Sequence, residues 1–259
     1  MKISLSNILK INKKTNAATA SEGDFIIDDK TSFPVLESYK TARTNIMFSL
    51  PKSDKGKIVL VTSSQPGEGK TTTSINLAYV FSQTEAKVVL VDCDLRKPRV
   101  HRYIGIDRGV GVSNILCGFV SIDQAIQKNV KGSLDCITAG ELPMNSAELL
   151  MSDEMDAFLG ELAQRYDYVF IDTPPVMTVT DAMIIAPKCS GTVVVVRQET
   201  STYDMIDKTV DMMKQSGIKV LGFIMKLAAE SSKKFWESSR YDRYSYRYLY
   251  NYRENDKDK

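Results

Sequence analysis

A buried strand, a glycine-containing loop and the start of a helix follow one another between residues 57 and 72. Residues 58–61 are aliphatic and mostly β-branched, which is typical of a strand buried on both faces of a parallel sheet. Residues 64–71 are Ser-Gln-Pro-Gly-Glu-Gly-Lys-Thr and match the phosphate-binding pattern G-x-x-x-x-G-K-S/T everywhere except at its first position, Ser64. Because a strand precedes the loop and a helix follows it, we expect a site for nucleotide phosphates rather than an ordinary turn.

The residue types in this loop suit a nucleotide that is bound together with Mg²⁺. Gly67 and Gly69 allow backbone N–H groups to turn toward a β-phosphate, and the following helix points its N-terminus at the same anion. Lys70 can reach the β- and γ-phosphates, and the hydroxyl of Thr71 can ligate Mg²⁺. The residues expected to bind the nucleotide are Gly67, Glu68, Gly69, Lys70, Thr71 and Thr72.

Composition argues against several other classes of protein. The 259 residues are 43% hydrophobic and can bury one substantial core. The net charge of +2 is too small to indicate a nucleic-acid-binding protein. No apolar run approaches the roughly 18–20 residues that span a bilayer, and the start lacks the features of a signal peptide, so we expect a cytoplasmic protein. Four scattered cysteines without a C-x-x-C pair predict free thiols.

Strands and helices alternate along the chain from residue 57 onward. The predicted strands are 57–62, 87–92, 134–138, 168–172, 191–197 and 219–225, and the predicted helices are 35–50, 70–83, 112–118, 121–128, 145–165, 180–187 and 202–216. Residues 94–110 are predicted to be an irregular basic loop. Repeated strand–helix units with Val- and Ile-rich strands predict one doubly wound, mostly parallel α/β domain at residues 35–229, after a flexible segment at 1–34.

The end of the chain, residues 230–259, differs in kind from this domain. Six of the 12 tyrosines fall within 12 positions, namely Tyr241, Tyr244, Tyr246, Tyr248, Tyr250 and Tyr252. Their partial alternation could form a strand, but nothing after it could pair with it or cover it, so a flexible tail is the better interpretation. Interleaved Tyr and Arg could also stack on and contact a nucleic acid, but the balanced charge of the domain does not support that use.

Three acids are predicted to complete the site. Asp92 and Asp94 follow one strand and Asp172 ends another, and ligands of a doubly wound sheet bind beyond the carboxyl ends of its strands. We expect these acids to converge on Mg²⁺ beside Thr71, some of them through water. One could instead accept a proton from an attacking hydroxyl, and any single one could be a helix cap or turn residue. Basic residues follow closely and could neutralise phosphate or form a solvated loop: Arg96, Lys97, Arg99 and Arg102.

With these motifs the chain resembles a bacterial tyrosine autokinase (BY-kinase) of the capsule and exopolysaccharide type, a P-loop family related in fold to the ParA/MinD ATPases. The resemblance covers residues from about 35 to the end and rests on segments 64–71, 89–99 and 168–175 and on the tyrosine cluster. In the family these are the Walker A, A′ and B motifs and the phosphoacceptor tail. The Asp-x-Asp-x-Arg element, residues 92–96, discriminates best among them.

The resemblance implies an ATP- and Mg²⁺-dependent kinase that phosphorylates its own tail tyrosines, chiefly between subunits of a ring. It implies catalytic roles for Lys70, Asp92, Asp94 and Arg96, and metal binding by Thr71, Asp92 and Asp172. Asp92 is the preferred base or Mg²⁺-linked residue. The implied partners are a membrane-spanning adaptor of the polysaccharide co-polymerase type, which activates the kinase at the inner face of the membrane, and a cognate phosphotyrosine phosphatase.

The family's ring-interface motif, E-x-x-R-x-x-R, departs from its usual form in this chain. Its three positions are Glu37, Lys40 and Arg43. Lysine in the middle keeps the positive charge but loses the two-pronged geometry of a guanidinium, so the stability of the ring is the implied property most open to change.

Two other functions compete with a kinase. A ParA/MinD-like partitioning ATPase would carry an extra lysine early in the loop, where this chain has Gln65, and would have no need of a tyrosine-rich tail. A nucleotide-gated scaffold that binds a partner through its tail is the non-enzymatic alternative. Modification of the tail by ATP and Mg²⁺ would separate the kinase from the scaffold.

Overall fold

The structure is a computed structural model that describes residues 26–198 and 200–226. The strands are β1 (Lys57–Ser63), β2 (Val88–Asp92), β3 (Gln127–Lys131), β4 (Leu134–Ile137), β5 (Tyr168–Asp172), β6 (Gly191–Arg197) and β7 (Val220–Lys226). The helices are α1 (Phe33–Ser49), α2 (Lys70–Ser82), α3 (Val100–Ile104), α4 (Val112–Leu116), α5 (Ile122–Ala125), α6 (Ser146–Met151), α7 (Asp153–Arg165), α8 (Asp181–Ile185) and α9 (Tyr203–Gln215), with a 3-10 turn at Ala186–Lys188.

The seven strands form one sheet in the order β3-β4-β2-β5-β1-β6-β7. All neighbouring pairs are parallel except β3 and β4, which are antiparallel. Helices cover both faces, and each face has its own apolar cluster, because the central strands carry aliphatic side chains on both sides. The predicted doubly wound, mostly parallel α/β class is confirmed.

The register of the central strands brings the predicted acids to one edge of the sheet. Asp92, the last residue of β2, lies beside Asp172, the last residue of β5. Asp172 in turn pairs with Val61 of β1, two residues before that strand passes into the phosphate loop. The loop and the acids therefore meet because three parallel strands end together.

Three local predictions were wrong. The loop 94–110 contains the short helix α3, and the predicted helix 121–128 ends at Ala125, before the strand β3. That strand folds back antiparallel on β4 through a turn in which Gly132 has a φ of 58°, a conformation that favours glycine. The helix predicted at 145–165 is divided at Ser152, whose ψ of 161° is extended.

Helix α2, which follows the phosphate loop, is fixed along its length. Near its start Ser74 donates to Asp172, and in its middle Asn76 accepts a hydrogen bond of 2.9 Å from the N–H of Ile27. Near its end the carbonyl oxygen of Val80 accepts a bond of 2.6 Å from the guanidinium of Arg43 on α1. Ile27 is buried by this contact, so the described part of the N-terminal segment packs on the domain.

Two further properties bear on the predictions from composition. All four cysteines, Cys93, Cys117, Cys136 and Cys189, are free, as predicted. Within residues 26–198 and 200–226, no helix is both long enough and apolar enough to cross a membrane.

Candidate active site

The phosphate loop depends on two glycines with left-handed backbone conformations. Gly67 has a φ of 85° and Gly69 a φ of 91°, which L side chains rarely adopt. A Cβ on Gly69 would also lie 2.7 Å from Cδ of Lys226, so the lysine side chain would have to shift to make room for it. Helix α2 begins at the next residue, and its first-turn N–H groups face the loop.

Ser64, the departure from the phosphate-loop pattern, has a structural role. Its hydroxyl is buried and lies 3.0 Å from Oγ1 of Thr209 on α9. Glu68 is also buried: its carboxylate accepts a bond of 2.9 Å from the N–H of Gln65 and a second from the Ser201 hydroxyl. These two side chains hold the shape of the loop from behind.

Lys70 lies among the acids that the sequence predicts. Its Nζ is 2.9 Å from Oδ2 of Asp94 and 3.7 Å from Oδ2 of Asp172. The same Asp172 oxygen accepts a bond of 2.8 Å from the hydroxyl of Thr71, and its other oxygen accepts a bond of 2.8 Å from Ser74. The structure thus brings the loop lysine, the predicted metal-binding hydroxyl and two of the acids together.

Asp92 is buried deeper and is bound to the backbone. One of its oxygens accepts a bond of 3.1 Å from the N–H of Asp94, and the other accepts one of 3.3 Å from Val100. Asp94 accepts a further bond of 3.0 Å from the N–H of Lys97. The two acids therefore fix the chain between β2 and α3, in addition to any role toward a ligand.

The electrostatics of this cluster favour an added cation. Burial raises the pKa of Asp92 well above its usual value, and the charge of Asp172 raises it further. Burial also raises the pKa of Asp172, against the opposing effect of Lys70. Burial alone would lower the pKa of Lys70, but Asp172 and Asp94 outweigh it and the pKa is raised. Three carboxylates against one ammonium leave a deficit of positive charge that a divalent cation would fill.

The donor set fits Mg²⁺ held mainly by a nucleotide. In the part of the chain that the structure describes, no group of three His, Cys, Asp or Glu side chains is arranged as a metal cage. Mg²⁺ does not require one, since it is usually bound through one or two carboxylates, several waters and phosphate oxygens. Thr71 and Asp172, with Asp92 next to them, are the side chains that could hold such an ion at the end of the loop.

One family model and one relative show which known proteins this chain is similar to. The AAA domain family model matches residues 56–219. The tyrosine-protein kinase YwqD of Bacillus subtilis is 39% identical over 208 residues, which are 80% of this chain and 85% of YwqD. The chain belongs to the bacterial tyrosine-protein kinases. The predicted family is confirmed by this match.

One further relative and two solved structures show how much of the chain the similarity covers. The tyrosine-protein kinase Wzc of Salmonella typhimurium is 33% identical over 86% of this chain, but the chain spans only 30% of Wzc. The kinase domain of Escherichia coli tyrosine kinase ETK superposes with a TM-score of 0.71 at 31% identity, covering 75% of this chain and 76% of that one. MinD of Pyrococcus furiosus shares the fold, with a TM-score of 0.57 at 23% identity over 71% of this chain and 81% of its own.

Arg96, predicted to be catalytic in this kinase family member, is engaged elsewhere. Its Nε and one terminal nitrogen each donate to Asp181 of α8 at 2.9 Å, and the carboxylate of Asp181 is fully buried. In this arrangement Arg96 holds the loop after β2 against α8, and a direct contact with phosphate stays a prediction.

The predicted interface residues lie on α1. Glu37 and Lys40 form an ion pair of 2.8 Å within the helix, whereas Arg43 turns inward to α2. The six predicted phosphoacceptor tyrosines lie outside the described residues.

Sequence reasoning missed several residues around the site of this kinase. Ser74 lies three residues after Thr71 and so faces the same side of α2, which helix periodicity alone would have indicated. Arg197 and Lys226 end β6 and β7 at the same edge of the sheet as the acids. The rule that located the acids applies equally to these bases. Asp181 had no comparable signal.

Proposed function

We propose that this chain is a protein-tyrosine kinase that transfers the γ-phosphoryl group of ATP to tyrosines of its own tail, chiefly between subunits. The observation that carries the proposal is the cluster of buried acids around Lys70 and Thr71, in a member of a tyrosine-kinase family. The proposed acceptors are the tail tyrosines Tyr241, Tyr244, Tyr246, Tyr248, Tyr250 and Tyr252.

Different residues of the chain would have different roles in phosphoryl transfer. When bound, ATP would supply the phosphoryl group and Mg²⁺ would neutralise charge on its phosphates. Lys70 and the N–H groups of the loop would orient the phosphates, and Asp172, which binds the hydroxyl of Thr71, would hold the metal together with it. The attacking tyrosine oxygen bonds to the γ-phosphorus as the bond to the bridging oxygen breaks. ADP would leave with the bridging oxygen, and Asp92 would accept the tyrosine proton. If Asp92 instead binds Mg²⁺, the proton would pass to water.

Assembly is proposed to run through α1. Glu37, Lys40 and Arg43 occupy the positions of the family's interface motif. Apolar side chains on the same helix support this role, since Phe48 is 86% exposed and Met47 is also exposed. A ring of subunits would bring the tail of one copy to the site of the next.

Regulation and location are proposed from the family resemblance. The kinase would work in the cytoplasm, recruited to the inner face of the membrane by a membrane-spanning adaptor of the polysaccharide co-polymerase type. A cognate phosphotyrosine phosphatase would reverse the reaction, and the cycle would control capsule or exopolysaccharide synthesis and export.

The first test measures whether ATP and Mg²⁺ lead to phosphorylation of the tail. The full chain is incubated with ATP and Mg²⁺, with and without the cytoplasmic part of such an adaptor, and tail peptides are examined by mass spectrometry. We expect phosphate on tail tyrosines, and more of it with the adaptor. A chain in which these tyrosines are changed to phenylalanine serves as the control. An unmodified wild-type tail in the presence of adaptor would contradict the kinase and favour a nucleotide-gated scaffold.

A second prediction concerns assembly. From residue 240 to residue 253 the tail carries four Arg and one Asp, a charge of +3. Six phosphotyrosines would add a charge of roughly −9 to −12. An unmodified tail would be attracted to the acid-lined site, whereas phosphorylated tails would repel one another. Sedimentation of the unmodified and fully phosphorylated chain should therefore give a larger particle for the unmodified form. Equal sizes would argue against a phosphorylation-driven dissociation.

A further inference from the structure

Two cations border the phosphate loop on the side away from the acids. Arg197, at the end of β6, donates to the carbonyl oxygen of Gly67 across 3.0 Å. Lys226, at the end of β7, donates to Oγ1 of Thr72 across 3.0 Å. The two residues are in register on neighbouring parallel strands. Since β1 separates these strands from β2 and β5, the loop lies between a basic side and an acidic side.

Lys226 follows the backbone of the loop at contact distance. Its Cδ lies 2.7 Å from the position that a Cβ on Gly69 would occupy, so its stem covers the Cα of that glycine. The ammonium then reaches Thr72, the residue directly after the metal-binding threonine. Thr72 is buried, and its hydroxyl also donates to the carbonyl oxygen of Gly69. The ammonium is therefore placed by several contacts.

The charge around Lys226 differs from that around Lys70. Burial, and then the charge of Arg197, lower the pKa of Lys226 to about 8. Nearby acids raise the pKa of Lys70. Acids thus lie around Lys70, whereas a cation, Arg197, lies beside Lys226, so the two sides of the loop differ in charge.

The order of residues along the loop indicates which phosphate of a bound nucleotide would lie beside Lys226. Lys70, Thr71 and the acids mark the end that binds the metal and the β- and γ-phosphates, and the loop backbone cradles the α- and β-phosphates. We propose that Lys226 is a nucleotide-binding residue that contacts the α-phosphate, and that Arg197 holds the loop in position beneath it. This inference rests on the proposed nucleotide site and adds to it a cation outside the phosphate-loop motif.

A contact on the basic side should not depend on the metal. Replacing Lys226 with methionine keeps most of the apolar stem over Gly69 but removes the charge. We expect the affinity for ADP to fall roughly 10-fold to 100-fold, the effect of losing one charge-assisted hydrogen bond. The loss should be similar with and without Mg²⁺, because the acids lie across the loop.

The test is calorimetric titration of the full chain with ADP and with its α-thio and β-thio analogues. The variants are Lys226→Met, Lys226→Arg and, as a matched control, Lys208→Met on the exposed face of α9. We expect the wild type to distinguish ADP from the α-thio analogue and Lys226→Met to bind the two with equal affinity. Lys226→Met should still distinguish ADP from the β-thio analogue as the wild type does. Lys226→Arg should regain part of the wild-type affinity. The control should bind as the wild type does.

Other outcomes would overturn the inference. Unchanged ADP affinity in Lys226→Met would show that the lysine does not contact the nucleotide. Equal losses for both thio analogues, with a lower melting temperature of the ligand-free variant, would show that it only supports the loop. A wild type that fails to bind ADP would overturn the nucleotide site itself, which is a distinct result.

Discussion

Replacing Lys70 with methionine is expected to lower tail phosphorylation by roughly 10²- to 10³-fold, the usual effect of removing one preorganised charge from a transition state. Lys70 is the only cation that the structure places within 4 Å of both Asp94 and Asp172 in the described residues. Its loss would remove a contact to the phosphates and leave those acids without their partner. The measurement is the initial rate of phosphate incorporation, with Lys208→Met as the control for a lost surface charge.

The same variant distinguishes transfer within a subunit from transfer between subunits. Lys70→Met protein keeps its tail, and a chain ending at residue 229 keeps its site. If transfer occurs between subunits, mixing the two should restore phosphate to the Lys70→Met tail. Melting temperatures measured with and without Mg²⁺ verify that the variant is folded. Full activity of Lys70→Met alone would contradict its role.

The change Asp172→Asn is expected to lower transfer by roughly 10²-fold at fixed Mg²⁺ concentration. Asparagine has the same shape and can still pair with Thr71 and Ser74, whose hydroxyls both donate and accept. It removes the negative charge that would draw Mg²⁺ to Thr71. Because that charge is fully buried, its removal should leave the fold at least as stable.

The decisive measurement for Asp172→Asn is ADP affinity as a function of Mg²⁺. Affinity without metal should be near that of the wild type, and the gain produced by Mg²⁺ should largely disappear. Asp211→Asn, on the exposed face of α9, is the matched control. Loss of metal-free ADP binding in Asp172→Asn would mean that Asp172 shapes the loop rather than serving the metal. The effect of Asp172→Asn should thus depend on Mg²⁺, whereas the effect of Lys226→Met should not.

The core of the fold and half of the site could be predicted from sequence because both follow from local rules. Buried parallel strands are aliphatic on both faces, as residues 58–61 and 88–91 are, and such strands end at a common edge. That Asp92 and Asp172 meet at this edge follows from those two facts, whereas their direct pairing depends on the strand order that the structure shows.

The remaining features depend on contacts between distant residues. The strand β3 has no apolar alternation, and its pairing with β4 defines it. Arg96 pairs with Asp181, 85 positions away, and nothing near either residue indicates the other. Lys226 is an exception, because it ends a strand at the same edge as the acids and the rule that predicts the acids extends to it. The tail remains a prediction from the sequence.

Helix α2 also connects the phosphate loop to α1. Its 13 residues form a rod about 20 Å long that is too short to bend appreciably. Near its start Ser74 donates a hydrogen bond to Asp172, and near its end the carbonyl oxygen of Val80 accepts one from Arg43. We therefore expect a displacement at the start of α2 to be passed to α1. These contacts connect the helix that carries Glu37 and Phe48 to the proposed phosphate site.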